Sequence, residues 1–359
     1  MDTKSKPQAD AQGAASAREQ IQTPLPEGEE RETLLNSYYQ MVLVRRFEEK
    51  TGEMYQKAHI GGYCHLNLGE EATVVGFCEG LEPNDYVYTN YREHGYAIGR
   101  GISPGAVMAE LFGKDTGCSR GRGGSMHLFD VDRHFMGGYA IVGGQIPLAT
   151  GAAFAIAYRG SQEVVACQMG DGTTNTGTFH ESLNLARIYH LPIVYFVVNN
   201  LYGMGLRVEQ GSAVSELYRK ACAYDMLSWR VDGNDVLAVR DAMRTAAKLA
   251  REKHEPSLVE AVSFRFRGHS VVDPDRYRDQ EEVQKGREND PIAAFAARLI
   301  AAGLLDDQNT HEIEERVQRE VDAAVTFAEE SPYASVEEFM QRLQEYIYAP
   351  EDEATVKGT

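Results

Sequence analysis

Two short polar segments carry the residues with the clearest chemical use, and each follows an apolar run. Gly170-Asp171-Gly172 follows residues 164–169, and Asn199-Asn200 follows residues 193–198. The glycines allow backbone N–H groups to approach a phosphate closely, and a helix that starts nearby adds a favourable dipole. Asp171 and Asn200 supply hard oxygen ligands of the kind that Mg²⁺ prefers, and the turn after Asn200 can add a carbonyl. The two segments predict a magnesium site that binds a diphosphate.

The spacing of the two segments supports this interpretation. Between Gly172 and Asn199 lie 26 residues, which is about one helix plus one strand, so neighbouring parallel strands would bring both segments to one sheet edge. Either segment alone is ordinarily a turn, but the pair at this interval is typical of the thiamin diphosphate motif. Other phosphate motifs fit poorly. Gly113-Lys114 lacks the first glycine of a P-loop, and Gly203-Met204-Gly205 lacks the third glycine of a dinucleotide-binding loop.

The elements that must position these segments alternate between strands and helices. Apolar runs at residues 164–169, 193–198 and 258–264 predict buried strands, and residues 31–57 predict a helix. A further helix is expected after Gly172, with Phe179, Leu183 and Ala186 on its buried face. Such strand–helix–strand units predict an α/β fold: a parallel sheet with helices on both faces, plus helical additions at the N- and C-terminal ends.

The composition also suggests the domain boundaries. Residues 1–30 are polar and poor in large apolar groups, which predicts a disordered N-terminal arm. Residues 31–350 are expected to form one α/β domain that binds the diphosphate half of thiamin diphosphate, and residues 351–359 a polar tail. Within the domain, Ser331-Pro332 is expected to end one helix, and Ser335 with Glu338 to form a capping box for the next.

Composition and charge limit the classes of partner. The chain has 359 residues, 43% of them hydrophobic, and a formal net charge of -18, which disfavours nucleic acid and anionic membranes as partners. Its five cysteines contain no Cys-x-x-Cys pair and are typical of reduced intracellular thiols. No apolar run approaches the roughly 20 residues that span a bilayer. Because the N-terminal residues contain neither a secretion signal nor a basic transit sequence, we expect a cytoplasmic protein.

Five further segments of the chain belong to a recognisable sequence pattern. They are Gly62-Tyr63-Cys64-His65-Leu66, Tyr91-Arg92-Glu93-His94-Gly95, Gly121-Arg122-Gly123-Gly124-Ser125-Met126-His127, Ile141-Val142-Gly143-Gly144-Gln145-Ile146-Pro147 and Arg267-Gly268-His269-Ser270. Together with the two polar segments, they make residues 38–282 similar to the alpha subunit of the E1 component of 2-oxo acid dehydrogenase complexes. Several matches in one order are far more specific than any one of them alone.

The resemblance implies three groups of site residues. The expected magnesium ligands are Asp171, Asn200 and the carbonyl of Tyr202. The expected contacts to thiamin diphosphate are Tyr91, Arg92, Ile141, Val142, Gly170, Asp171, Gly172, Thr173, Asn200, Tyr202 and His269. Two histidines are expected to act in catalysis: His65, which would face the reacting carbon, and His269, which would contact the diphosphate and the substrate.

Each of these residues also has an ordinary interpretation. Without the resemblance, His65 and His269 fit loop histidines satisfied by backbone groups, and Arg92 fits a solvated charge. The apolar pair Ile141-Val142 would ordinarily be core, and the histidines of the other matched segments would only brace their loops.

The resemblance also implies the activity and the partners. Thiamin diphosphate decarboxylates 2-oxo acids because its ring accepts the electrons that are released. In the family a glutamate of the E1 beta subunit activates the cofactor, so an alpha2beta2 heterotetramer is expected, with an E2 lipoyl acyltransferase receiving the acyl group. Pyruvate is the expected substrate. The alternatives are acetoin, a branched-chain 2-oxo acid, or a non-catalytic scaffold subunit of the same fold.

Residues 270–278 are expected to form a mobile loop that the cofactor orders, since they contain Pro274 and several charged side chains. Ser270 matches a serine that is phosphorylated in mitochondrial relatives. The loop nevertheless looks one residue shorter and lacks their second serine, so regulatory phosphorylation is not expected.

Overall fold

A computed structural model of the chain describes residues 25–26 and 28–348. Most of the expected N-terminal arm and all of the expected tail at 351–359 lie outside these residues. The first helix begins at Arg31, the first residue of the expected domain. Within the described part of the chain, no helix combines the length and the apolar character needed to cross a bilayer.

The described residues contain eight strands. They are β1 (Tyr86–Asn90), β2 (Phe135–Tyr139), β3 (Val165–Gly170), β4 (Ile193–Asn199), β5 (Tyr202–Gly203), β6 (Leu206–Arg207), β7 (Leu227–Asp232) and β8 (Ser257–Val262). Six of them form a parallel sheet in the order β2-β1-β3-β4-β8-β7, and β5 and β6 form a separate antiparallel hairpin. The order places the carboxyl ends of β1, β3 and β4 side by side.

The helices precede, follow and connect these strands. They are α1 (Arg31–Gln56), α2 (Glu71–Glu79), α3 (His94–Gly99), α4 (Pro104–Leu111), α5 (Gln145–Arg159), α6 (Gly177–Ile188), α7 (Val208–Gly211), α8 (Val236–Lys253), α9 (Gln280–Glu288), α10 (Pro291–Ala301), α11 (Asp307–Glu330) and α12 (Val336–Tyr348). Short 3-10 turns cover Gly124–Met126, Val131–Arg133, Asp171–Asn175 and Leu217–Tyr224.

Helices cover both faces of the sheet because alternate strand residues point to opposite sides. In β4, Val194 and Phe196 belong to the core that includes α1, α2 and α8. Ile193 and Tyr195 belong to the opposite core, which includes α5 and α6. The predicted α/β class, with its parallel sheet and helical additions at both ends, is confirmed.

Several local expectations needed correction. The third predicted strand ends at Val262 rather than at residue 264, and β1, β2 and β7 were not predicted. Strand β2 contains two adjacent glycines, and the edge strand β7 contains Ser228, Arg230 and Asp232, so neither carries an apolar run. At the C-terminal end, α11 stops before Ser331 as predicted. Only half of the expected capping box forms: the Glu338 N–H donates to Ser335 Oγ, while the Glu338 carboxylate binds Arg342.

Candidate active site

A cleft of about 210 Å³ opens at the carboxyl ends of the central strands. Ligands bind at this edge in parallel α/β sheets because loops and helix starts converge there. Of the residues expected to contact the cofactor, all except Ile141 line the cleft, whereas His65, which was expected to act in catalysis, does not. The lining residues are Asn90, Tyr91, Arg92, Val142, Gly170, Asp171, Gly172, Thr173, Asn200, Tyr202, Gly203, Met204, Arg265 and His269.

The loops after β3 and β4 meet across the cleft. A Cβ atom added to Gly172 would lie 3.7 Å from the Cα of Gly203, so a side chain there would fill the space between the loops. The helix expected after Gly172 begins only at Gly177, because the 3-10 turn Asp171–Asn175 comes first. In this turn Thr174 Oγ1 donates to the carbonyl of Asp171 at 2.8 Å, a local hydrogen bond that competes with helix formation.

Two side-chain oxygens in the cleft are buried without a hydrogen-bond partner. They are Oδ2 of Asp171, a residue that is 6% exposed, and Oδ1 of Asn200, which is 8% exposed. Buried polar atoms are ordinarily satisfied, so each exception calls for an explanation such as a ligand. Burial raises the pKa of Asp171 to about 6. A bound cation would favour the ionised carboxylate instead.

The neighbouring Asn199 is used by the fold itself. Its Nδ2 donates to Glu260 Oε1 at 2.7 Å, and its Oδ1 accepts from the Leu201 N–H at 3.1 Å. Leu201 has a left-handed backbone, with φ of 72°, which turns the chain into the β5–β6 hairpin. In that hairpin the Tyr202 hydroxyl donates to Glu282 at 2.8 Å and so anchors the loop beside the cleft.

The metal-binding capacity of the cleft depends on mixed oxygen donors. Among residues 25–26 and 28–348, no three His, Cys, Asp or Glu side chains cluster as a metal site. A cation at Asp171 and Asn200 would therefore need further oxygens from a carbonyl, a bound phosphate group and water. This donor set suits Mg²⁺, which keeps waters and is commonly bound by one or two carboxylates together with phosphates.

Arg92 joins two of the matched segments. Its Nη1 donates to the carbonyl of Leu66 at 2.7 Å, and its Nη2 donates to the carbonyl of His269 at 2.8 Å. Arg92 is 5% exposed, so a charge that looked solvated in the sequence lies inside the protein. These bonds fix the guanidinium at the cleft wall and hold the segments of His65 and His269 together.

His65, Tyr91 and His269 form a cluster of three rings at the edge of the cleft. The ring centroids lie 4.4 Å apart for His65 and Tyr91, 5.1 Å for the two histidines, and 5.6 Å for Tyr91 and His269. The Nδ1 atoms of both histidines are buried without a partner. Burial, followed by the charge of Arg92, lowers the pKa of His65 to about 2 and that of His269 to about 3. Both imidazoles are therefore neutral near pH 7.

The pair Ile141-Val142 lies on the surface rather than in the core. Ile141 is 77% exposed and Val142 is 49% exposed, although both are apolar. Further exposed apolar side chains continue along α5 and α6, and we call this set the apolar face. Its members are Ile141, Val142, Leu148, Phe154, Tyr158, Leu185, Ile188 and Tyr189.

Arg265 is a cleft residue that the sequence did not reveal. It is 1% exposed and donates to the Arg267 carbonyl and the Tyr277 hydroxyl, both at 2.9 Å. Within the described part of the chain no carboxylate lies within 4 Å of its guanidinium. Burial, followed by Arg92, lowers the pKa of Arg265. In the sequence, a role for Arg265 in the site was indicated only by its position, four residues before His269 and just after a predicted strand.

The segment after His269 is closely hydrogen-bonded. The Asp273 carboxylate accepts from the His269 N–H at 2.6 Å and from the Tyr277 hydroxyl at 2.7 Å. Arg278 donates to the carbonyl of Arg265 at 2.6 Å. Ser270 is 9% exposed, so its side chain is largely covered in this conformation.

Comparisons with known proteins place these features in context. Residues 39–337 match the family model described as "Dehydrogenase E1 component". Three relatives carry the name "Pyruvate dehydrogenase E1 component subunit alpha". The one from Rhizobium meliloti (strain 1021) is 43% identical over 85% of this chain and 88% of its own length. The one from Rickettsia bellii (strain RML369-C) is 39% identical over 87% and 96%, and the one from Porphyra purpurea is 41% identical over 88% and 93%.

Proposed function

The chain belongs to the dehydrogenase E1 component family, and on this premise we propose that it is the alpha subunit of a thiamin diphosphate-dependent 2-oxo acid dehydrogenase. Its substrate is pyruvate, and the acyl group passes to lipoyl groups of an E2 acyltransferase. The names of the relatives support the choice of pyruvate. The observation that carries the proposal is the pair of unpartnered oxygens, Asp171 Oδ2 and Asn200 Oδ1, in one cleft.

The donor set fits a magnesium-bound diphosphate. Asp171 and Asn200 hold the cation with the Tyr202 carbonyl, and the diphosphate supplies further oxygens. A Mg²⁺ ion would lower the cost of the buried Asp171 carboxylate, since it would compensate a charge whose Oδ2 atom has no hydrogen-bond partner in the protein.

The diphosphate itself is held by cationic and backbone donors. Arg92 and Tyr91 would bind it, together with Gly170, Gly172 and Thr173, which also line the cleft. Arg265 adds a buried positive charge that forms no direct salt bridge among the described residues, which favours an anionic ligand in the cleft. Thiamin diphosphate, when bound, supplies the electron sink that decarboxylation of a 2-oxo acid requires.

The two neutral histidines would act side by side, since their ring centroids lie 5.1 Å apart. His269, which lines the cleft, would contact the diphosphate and the substrate, and His65 would face the reacting carbon. Because both pKa values lie well below 7, each ring presents one donor and one acceptor nitrogen rather than a positive charge. Neutral rings can orient the substrate through hydrogen bonds without placing a second positive charge beside Arg92.

The site is completed by another chain. Ile141 and Val142 support the aminopyrimidine, yet both are exposed, and the apolar face continues from them along α5 and α6. Apolar surface of this extent marks a protein interface. We assign the apolar face to subunit contacts of an alpha2beta2 heterotetramer, in which the E1 beta subunit covers the reactive end of the cofactor.

The cofactor assignment is tested by calorimetry on the assembled heterotetramer. Thiamin diphosphate should bind only in the presence of Mg²⁺, and Asp171→Ala should abolish this binding. Asp132→Ala is the matched control, because Asp132 is an exposed loop aspartate outside the cleft. Unchanged magnesium-dependent affinity in Asp171→Ala would reject the assignment. Loss of binding in both variants would attribute the effect to charge in general.

The substrate assignment is tested separately by steady-state turnover. Pyruvate, acetoin and 2-oxoisovalerate are supplied to the assembled enzyme, and acyl transfer to a lipoyl domain is measured. Pyruvate should give the highest kcat/KM. Equal or better turnover of acetoin would overturn the choice of pyruvate while leaving the cofactor assignment intact.

A further inference from the structure

A buried carboxylate behind the cleft, that of Glu70, contacts Asn200 directly. Asn200 Nδ2 donates to Glu70 Oε1 at 2.7 Å, and Glu70 is 1% exposed. The donor in this contact is the amide nitrogen, so the NH2 side of the Asn200 amide faces Glu70. The amide oxygen therefore points away from Glu70 and remains without a partner in the protein.

Glu70 is in turn fixed by Asn67. Glu70 Oε2 accepts from Asn67 Nδ2 at 3.2 Å and lies 3.8 Å from Arg92 Nε. The Asn67 oxygen is already occupied, because it accepts from the Gly95 N–H at 3.2 Å. Asn67 can therefore present only its NH2 group to Glu70, and both Glu70 oxygens must act as acceptors.

The hydrogen-bonded chain continues into the core. The Asn67 N–H donates to Glu48 at 2.9 Å, and the other Glu48 oxygen lies 2.9 Å from His94 Nδ1. His94 Nε2 lies 2.8 Å from Ser125 Oγ. Glu48 and His94 are completely buried, so this part of the chain is a rigid support rather than a second reaction centre. It connects α1 and the Gly121–His127 segment to Asn200.

We propose that Glu70 is a positioning residue that fixes the Asn200 amide with its oxygen toward the magnesium, an inference that rests on the proposed function. Without Glu70 the amide has two orientations, and one of them directs an NH2 group at the cation. Partners that orient metal ligands in this way typically change metal affinity by roughly 10–100-fold.

The neighbouring pair Glu260 and Asn199 provides a contrast within the same chain. Asn199 Nδ2 donates to the fully buried Glu260 at 2.7 Å, the same distance as in the pair of Glu70 and Asn200. The Asn199 oxygen, however, is occupied by the Leu201 N–H. Glu260 therefore orients the Asn199 oxygen toward the backbone, whereas Glu70 orients the Asn200 oxygen, which has no partner in the protein.

Glu70→Gln tests the proposal. Glutamine has one acceptor oxygen, which Asn67 requires, so its NH2 group would face Asn200 and favour the flipped amide. In the assembled heterotetramer, titration calorimetry of Mg²⁺ with thiamin diphosphate present should show an affinity lower by roughly 10–100-fold. Far-ultraviolet circular dichroism and thermal unfolding establish that the variant is folded.

A double-mutant cycle separates positioning from a general loss of charge. In Glu70→Gln combined with Asn200→Asp, the glutamine NH2 donates to the aspartate, and either aspartate oxygen can face the metal. Asn200→Asp should therefore raise Mg²⁺ affinity more in the Glu70→Gln background than in the wild-type background. If Glu70→Gln alone does not fold, the double variant is compared with Asn200→Asp, and a lower affinity of the double variant would overturn the proposal.

The matched control is Glu79→Gln at the far end of α2, where the carboxylate accepts from Ser37 Oγ at 2.9 Å outside the cleft. It should leave Mg²⁺ affinity within about twofold of the wild type, since distant sites without shared partners act independently. Wild-type affinity in Glu70→Gln, additive effects in the cycle, or an equal loss in Glu79→Gln would each overturn the positioning role. These results differ from failure of the proposed function. In that case the wild-type assembly itself would show no magnesium-dependent binding of thiamin diphosphate.

Discussion

In the metal-free protein, Asp171→Asn should stabilise the fold while removing magnesium binding. Asp171 is 6% exposed, and its Oδ2 has no hydrogen-bond partner. Burial raises its pKa from the ordinary 3.8 to about 6. A carboxyl group with a higher pKa in the folded state binds its proton more tightly there. Its ionisation therefore opposes folding at pH values above the unfolded pKa, and the effect reaches its full size above the folded pKa.

The size of the effect follows from the two pKa values. The difference between about 6 and 3.8 corresponds to about 3 kcal/mol of unfolding free energy near pH 8, at roughly 1.36 kcal/mol per pKa unit. Asparagine carries no charge and avoids this penalty, although its amide is also costly to bury without partners. As the pH falls, the folded wild type becomes protonated, so the advantage of the variant shrinks to about half near pH 5 and disappears below the unfolded pKa.

Urea-induced unfolding in the presence of EDTA measures this difference. Asp171→Asn should be more stable than the wild type by up to about 3 kcal/mol near pH 8. With Mg²⁺ and thiamin diphosphate at about 100 times their dissociation constants, the wild type should gain about 2.7 kcal/mol and the variant nothing. Asp132→Asn, at an exposed position, should change neither the stability of the metal-free protein nor the gain in stability on ligand binding. A metal-free Asp171→Asn protein that is less stable than the wild type would refute the reasoning, because the carboxylate would then have a stabilising partner.

Three further predictions concern other parts of the molecule. His269→Ala should still bind the cofactor in calorimetry but lose acyl transfer to lipoyl groups. Burial and the charge of Arg92 lower the pKa of His269 to about 3. The transfer rate of the wild type should therefore show no inflection from this residue between about pH 5.5 and 8. Glu110→Gln should lower the free energy of unfolding, measured in urea, by about 2–4 kcal/mol, since the carboxylate accepts four backbone N–H groups of residues 119–124. The control Glu209→Gln, at the surface, should leave the free energy of unfolding unchanged. Phe154→Glu, on the apolar face, should prevent heterotetramer formation in size-exclusion chromatography while leaving the thermal unfolding of the alpha chain unchanged; an intact heterotetramer would remove α5 from the interface.

The strands that the sequence predicted are those buried on both faces. Strands β3 and β4 form long apolar runs, and the polar residues that follow each run mark where the chain leaves the sheet. Strand β2 has the sequence Phe-Met-Gly-Gly-Tyr, and β7 lies at the sheet edge with polar side chains, so hydrophobic periodicity could not detect either. Two strand ends were therefore enough to locate the cleft, although half of the sheet was missing from the prediction.

The site was less predictable where it depends on contacts between distant residues. Asp171 and Asn200 stand in recognisable segments, but Glu70 precedes α2 without a motif of its own and meets Asn200 only in the fold, 130 residues further along the chain. The burial of Arg265 beside Arg92 likewise becomes visible only in three dimensions. Sequence patterns identify groups that touch a ligand, whereas the groups that orient them are selected by packing and carry no periodic signal.

Four unpartnered atoms in or beside one cleft distinguish a binding site from a polar cluster that stabilises the fold. Asp171 Oδ2, Asn200 Oδ1 and the Nδ1 atoms of His65 and His269 are all buried without hydrogen bonds. Each such group costs roughly 1–3 kcal/mol, so a cluster selected for stability would have paired them. The groups behind them are paired: Glu70 holds Asn200 and Asn67, and Arg92 holds two backbone carbonyls. These four unsatisfied atoms lie at the surface that a cation, a diphosphate and a substrate would cover, and binding of these ligands would offset their cost.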